Sequence, residues 1–159
     1  MTFEELREAI ELELKNMETI VSELVALRKD TEDRIPANRE KTAASAYLAQ
    51  FYNGVENILK RISVFFNEPL PKGDTWHIDL FTRFCLPSEK PLPVLFDESL
   101  KMDLTAMRKF RHVVHHGYGF LLDWTRLLDG INKIEDIFNR FRTRVLNELQ
   151  NLVNSNDRC

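Results

Sequence analysis

The stretch Arg111-His112-Val113-Val114-His115-His116-Gly117-Tyr118-Gly119 gathers an arginine, three of the four histidines, a tyrosine and two of the five glycines into nine residues. Arginine keeps its charge at any working pH and offers a planar fork of donors matched to phosphate oxygens. Histidine takes or gives a proton near neutrality. The two together suffice for RNA cleavage without a metal. The histidine removes the proton of a ribose 2′-hydroxyl, the arginine stabilises the charge building on the phosphorus oxygens, and the product is a 2′,3′-cyclic phosphate. On a helix, Arg111 and His115 share a face, while His116 lies about 140° round from Arg111. Either histidine serves if the helix unwinds at Gly117. His112 stands beside the arginine, and Arg108, with six intervening residues, is an alternative partner for His115. His112, His115 and His116 also form one stripe of possible metal ligands. No carboxylate accompanies them, and the paired Glu-x-x-His of di-iron bundles is absent, so neither a metal nor a cofactor is expected.

Helices must position this cluster. Residues 3–29 carry Leu6, Ile10, Met17, Val21, Leu24 and Leu27 at helical spacing, with acids early and Arg28 and Lys29 late, as the helix dipole favours. Asp30 to Pro36 break the chain. Residues 38–67 form a second long helix, in which Gly54 predicts a close helix crossing and Glu56 and Lys60 an i,i+4 pair. Pro69 and Pro71 end it. Asp74 is placed to cap a short helix to about Phe84 that holds Trp76 and His77, and Pro87 to Pro93 form a loop. Asp97 or Ser99 caps the helix leading into the cluster, with Leu100, Leu104, Met107, Phe110, Val113 and Val114 inward. A last helix from residue 120 to 153 repeats apolar residues from Leu121 to Leu152 in steps of three and four. Phe120, Leu127, Ile137 and Leu146 widen its face beyond what one small bundle needs, which suggests a homodimer. The fold class is therefore all-α: an up-and-down bundle of four long helices and one short one, a single domain over residues 1–153 with a polar tail, 154–159, that frays.

Composition narrows the function. The chain has 159 residues, 43% hydrophobic and 30% charged, and no apolar run approaches a membrane span. The acidic start, Met1-Thr2-Phe3-Glu4-Glu5, lacks a signal-peptide core, so a cytoplasmic protein is expected. Two cysteines, Cys85 in an apolar context and Cys159 in the tail, make no disulfide framework or zinc site. Net charge is −3, but residues 1–40 hold eleven acids against six bases, while residues 101–144 hold nine bases against five acids. The basic part carries the histidine cluster, which suits a phosphate-bearing ligand. Single features have plainer explanations: His77 reads as structural, Tyr118 alone as a packing residue, and Arg140, Arg142 and Arg144 as a solvated face rather than an RNA track.

The cluster resembles the signature of the HepT-like ribonuclease toxins of the HEPN superfamily. That signature is an arginine, often followed by a polar residue, then a histidine after four to six residues, then any residue and tyrosine. Here it reads Arg111, four residues, His116, Gly117, Tyr118, with His112 as the polar residue. The segment Tyr52-Asn53-Gly54-Val55-Glu56-Asn57-Ile58-Leu59 is similar to the second helix of such proteins. The proline-rich stretch 68–93 is longer than a minimal member needs. The resemblance implies a HEPN-like fold and Arg111 and His116 as a catalytic pair contributed twice to a cleft on a homodimer. It also implies messenger or transfer RNA as the substrate, and a minimal nucleotidyltransferase antitoxin that adds AMP to Tyr118. An adduct there would place negative charge and bulk beside the cleft and block RNA. The alternative is a non-catalytic module of the same fold that binds nucleotide, RNA or the nucleotidyltransferase. A purely structural helical dimer is a third reading.

Overall fold

Thr2 and Glu5 open the bundle. The Thr2 hydroxyl accepts from the Glu5 N–H at 3.2 Å and the Glu5 carboxylate accepts from the Thr2 N–H at 2.6 Å, so two otherwise orphaned donors are satisfied reciprocally. Helix α1 (Phe3–Asp30) follows in the computed structural model, which describes residues 1–156. Its buried stripe is Leu6, Ile10, Leu14, Met17, Val21 and Leu24. Helix α2 (Asn38–Phe65) starts where Glu40 accepts from the Ala37 N–H at 2.8 Å and from both ends of the Arg34 guanidinium at 2.7 Å. The crossing expected at Gly54 is present: a Cβ there would come within 2.6 Å of the Met17 side chain on α1.

The proline-rich stretch does more than connect. It contains the short helix α3 (Trp76–Thr82), and Leu80, Phe81, Phe84, Cys85, Leu92, Leu95 and Phe96 from this region are buried in the core. Phe81 stacks on Phe96 with ring centroids 4.7 Å apart, and Phe96 in turn faces Phe141 at 6.2 Å. Asp74 does not cap α3. The N-cap is Thr75, which makes no side-chain cap bond; its hydroxyl donates instead to Asp79 at 3.1 Å. Cys85 is buried as expected, and burial raises its thiol pKa.

Asp97 caps α4 (Glu98–His115) by accepting from the Leu100 N–H at 2.7 Å. The last helix does not begin at residue 120. His116 leaves helical geometry, Gly119–Leu121 form one 3₁₀ turn, and α5 runs Trp124–Asn156, started by Asp123, which accepts from the Thr125 N–H at 3.0 Å. A helix-period pattern runs through this break in the sequence, but the backbone is held elsewhere. A Cβ on Gly119 would sit 2.4 Å from Ser45 Oγ and 3.0 Å from Thr42 Cα, so the turn lies directly on α2. Neither Gly117 nor Gly119 has positive φ; close approach is what requires glycine at 119. The tail expected to fray is helical through Asn156, and residues 157–159 lie outside the described residues.

Among the described residues the result is an all-α bundle of four long helices and one short one, with one core cluster drawing on all five. The seam of α5 is Leu127, Ile131, Ile134, Ile137, Phe138, Phe141, Val145 and Leu149. Leu127 and Ile137, part of the apparent surplus of apolar surface, are inside this core. What remains exposed of that surplus is Phe120 and Leu146, with Leu121 beside the turn.

Candidate active site at the end of helix α4

Leu100, Leu104 and Met107 form the buried stripe of α4, and the next position on that stripe is Arg111. A stripe residue goes inward whatever its chemistry, so this arginine is 5% exposed. Val113, expected inside, is outside instead. Burial of a cation requires a partner, and α2 supplies one. Glu56 sits on a stripe of its own, between Tyr52 and Leu59, and is equally buried. The Arg111 guanidinium donates to both Glu56 carboxylate oxygens through its two terminal nitrogens, and Nη1 also donates to Asn53 Oδ1 at 2.9 Å. The Tyr52 ring lies under the guanidinium, 4.9 Å away. Burial, reinforced by the Glu56 charge, pushes the Tyr52 phenol well above its ordinary range, so it stays a neutral hydroxyl. Arg108 lies near enough to oppose that shift, though among the described residues the Tyr52 hydroxyl has no hydrogen-bond partner. Arg111 Nε is likewise buried with no acceptor among the described residues, leaving one donor of the fork unspent.

The pairing expected between Glu56 and Lys60 is therefore absent. Glu56 is committed inward, and Lys60 lies over the Trp76 ring at 4.4 Å. His77, read from sequence as structural, comes into the site. Its Nδ1 is 2.5 Å from Glu56 Oε2 and 2.6 Å from Arg111 Nη2. The sequence did hold a signal for Glu56 and Arg111, since an acid and a base each interrupt an otherwise apolar buried stripe. For His77 there was none, because its approach depends on how the proline-rich stretch folds back.

A cavity of 610 Å³ opens between α3 and the end of α4. Arg108, Arg111, His112, His115 and His116 line it from α4 and its cap, and His77, Thr75 and Ile78 from the other side. His116 is the C-cap of α4, its N–H donating to Val113 O at 3.3 Å, so the helix unwinds at the histidine itself. The His112 and His116 rings lie 4.4 Å apart. Arg108 is half-buried over the Phe81 ring at 5.4 Å, and among the described residues no carboxylate pairs with it. Its charge borders a cavity that Asp74 lines as well. Tyr118 is not part of this lining; it is 69% exposed and stacked on Phe120 at 5.7 Å. Among the described residues, no three His, Cys, Asp or Glu side chains are grouped so as to hold a metal ion. No described helix is long and apolar enough to cross a membrane.

A helical bundle that offers arginine and histidine from a helix end, followed by an exposed tyrosine, is the HEPN-like class. A family model described as HepT-like protein matches residues 43–152, well over half the chain, and the protein belongs to that family. No curated protein and no solved structure gives a significant match.

Proposed function

We propose that the protein is an endoribonuclease toxin that needs no metal, working at the cavity that ends α4. The observation that carries this reading is Arg111, a guanidinium buried and oriented by Glu56 and Asn53, bordering the same cavity as His116 and three further histidines. An arginine fixed in this way costs no reorganisation when charge builds on a phosphate. Arg111 and His116 are the catalytic pair, His112 and His115 support them, and Arg108 supplies the unpaired charge that draws the RNA backbone into the cavity. RNA, messenger or transfer, is the substrate.

Family membership supports the context. A minimal nucleotidyltransferase encoded beside this chain would act as antitoxin by transferring AMP to the Tyr118 hydroxyl, with release of pyrophosphate from ATP. The exposure of Tyr118, outside the cavity but two residues from His116, suits a group that another protein must reach. Phe120 and Leu121, exposed on the same turn, suit a homodimer in which two such cavities form one cleft.

The test is cleavage of messenger and transfer RNA by the purified protein in excess EDTA, with Tyr118 shown by mass to be unmodified. Wild type is expected to cleave and leave cyclic-phosphate ends, and His116→Ala to be inactive. No cleavage by folded wild type would overturn the reading in favour of a binding module.

A further inference from the structure

Cleavage by 2′-hydroxyl attack moves two protons. One leaves the attacking oxygen, and one must reach the departing 5′-oxygen. The motif supplies His116. A second imidazole reaches the same cavity from a distant segment: His77, on α3.

The Nδ1 atom of His77 lies against both Glu56 Oε2 and Arg111 Nη2, and one ring nitrogen cannot donate to a carboxylate and accept from a guanidinium at once. An ionised carboxylate can only accept, so the Nδ1 proton is assigned to the bond with Glu56. Its Oε1 is served by Arg111 Nη1, but Arg111 Nη2 is 3.4 Å from Oε2, so the short donor to Oε2 is the His77 Nδ1–H. Arg111 Nη2 is then a second donor converging on the same carboxylate. With the proton on Nδ1, the neutral ring carries its lone pair on Nε2, which has no hydrogen-bond partner among the described residues. The His77 side chain is 34% exposed on the cavity wall, whereas that of Glu56 is 4% exposed behind it. A buried carboxylate that fixes one tautomer and stabilises the imidazolium is what makes an imidazole an effective general base.

We propose that His77, oriented by Glu56, is the general base of this site, leaving His116 to protonate the leaving group. The inference rests on the endoribonuclease reading above. His77 Nε2 takes the proton of the 2′-hydroxyl, and the 2′-oxygen forms its bond to phosphorus. The bond from phosphorus to the 5′-oxygen breaks, its electron pair stays on that oxygen, and His116 supplies the proton. Water then returns the proton from His77 to His116, so nothing but RNA is consumed. The proline-rich stretch thus brings a catalytic residue to the site.

The experiment uses the full-length chain, unmodified at Tyr118, in EDTA. It compares an RNA oligonucleotide with the same oligonucleotide bearing sulfur in place of the bridging 5′-oxygen, since a thiolate leaves without a proton. The His77→Gln variant is expected to lose about 10²- to 10⁴-fold in kcat on both substrates, with KM within about threefold of wild type. Added imidazole is expected to restore part of the rate of His77→Ala, which a purely structural defect would not allow. His116→Ala is expected to fail on the oxygen substrate and recover on the sulfur one. A kcat for His77→Gln within about threefold of wild type, its recovery on the sulfur substrate, or no imidazole rescue of a His77→Ala protein that melts like wild type would each overturn the proposal. An inactive wild type would instead sink the endoribonuclease reading, and this inference with it.

Discussion

Arginines cluster twice in this chain, on α4 and on α5, and the bundle uses them in opposite ways. On α5, Arg140 pairs with Asp103 and Asp136, Arg142 with Glu18 while lying over Phe138, and Arg144 with Glu148 and the Val94 carbonyl. These are partners at the surface, where water competes and an ion pair contributes little. On α4, Arg111 is buried against a single buried acid, and among the described residues no acid pairs with Arg108. A charge kept inside a helical seam, where leucine would pack with less cost, points to work other than stability. The α5 arginines are engaged by acids and a carbonyl at the surface. Those of α4 are arranged round a cavity.

The contrast can be broken at several points. The largest effect is expected from Glu56→Ala, which leaves Arg111 charged, buried and unpaired. It should cost about 3–5 kcal/mol, seen as a drop of roughly 10 °C or more in Tm that added salt does not restore. Gly119→Ala comes next. The new Cβ meets Ser45 and the Thr42 backbone, so the turn carrying Tyr118 must lift from α2, at about 1–3 kcal/mol by denaturant unfolding. Gly54→Ala should cost less, because its clash is with the flexible Met17 side chain and alanine returns about 1 kcal/mol of helix propensity. A chevron or Tm series that ranked Gly54→Ala above Gly119→Ala would contradict this reading of the two glycines. On the α5 side, Glu18→Gln removes the acid paired with Arg142 and should change stability by less than about 1 kcal/mol, and by nothing at high salt.

Acid titration sharpens the same comparison from the surface. Hydrogen bonds from Arg34 and the Ala37 N–H lower the Glu40 carboxyl from 4.5 to about 2. A carboxyl lowered in the folded state stabilises fully above its unfolded value, and that contribution fades as pH falls from about 4.5 towards 2. Glu40→Gln should therefore remove a small acid-dependent part of the unfolding curve and leave the neutral-pH cleavage unchanged. Loss of cleavage in Glu40→Gln would tie the start of α2 to the site and erase the distinction between surface pairs and cavity charges.

Much of the fold and of the site is legible from residue order alone. The stripe of α1, the Gly54 crossing, a cap of α4 at Asp97 or Ser99 and the arginine–histidine–tyrosine spacing are local signals, and local signals survive folding. The glycine turn after His116 is legible, but the start of α5 at Trp124 rather than at residue 120 is not, because Leu121 and Trp124 continue the apolar period while Gly119 lies on α2. The i,i+4 rule pairs Glu56 with Lys60. That rule holds for exposed pairs, and it fails because Glu56 faces inward, where a buried cation outweighs a solvated one. His77 joins the site through a fold-back of the proline-rich stretch, a long-range event with no mark in the sequence.

The most direct measurement is a paired one on the double variant Glu56→Leu with Arg111→Met: its Tm, and its cleavage of RNA in EDTA beside active wild type. Replacing a buried ion pair by apolar side chains is often neutral or stabilising, so the double variant should melt near wild type, well above Glu56→Ala, and cleave nothing. A double variant that cleaves at the wild-type rate would contradict the claim that the buried charges of α4 and α2 are there for the chemistry of the cavity.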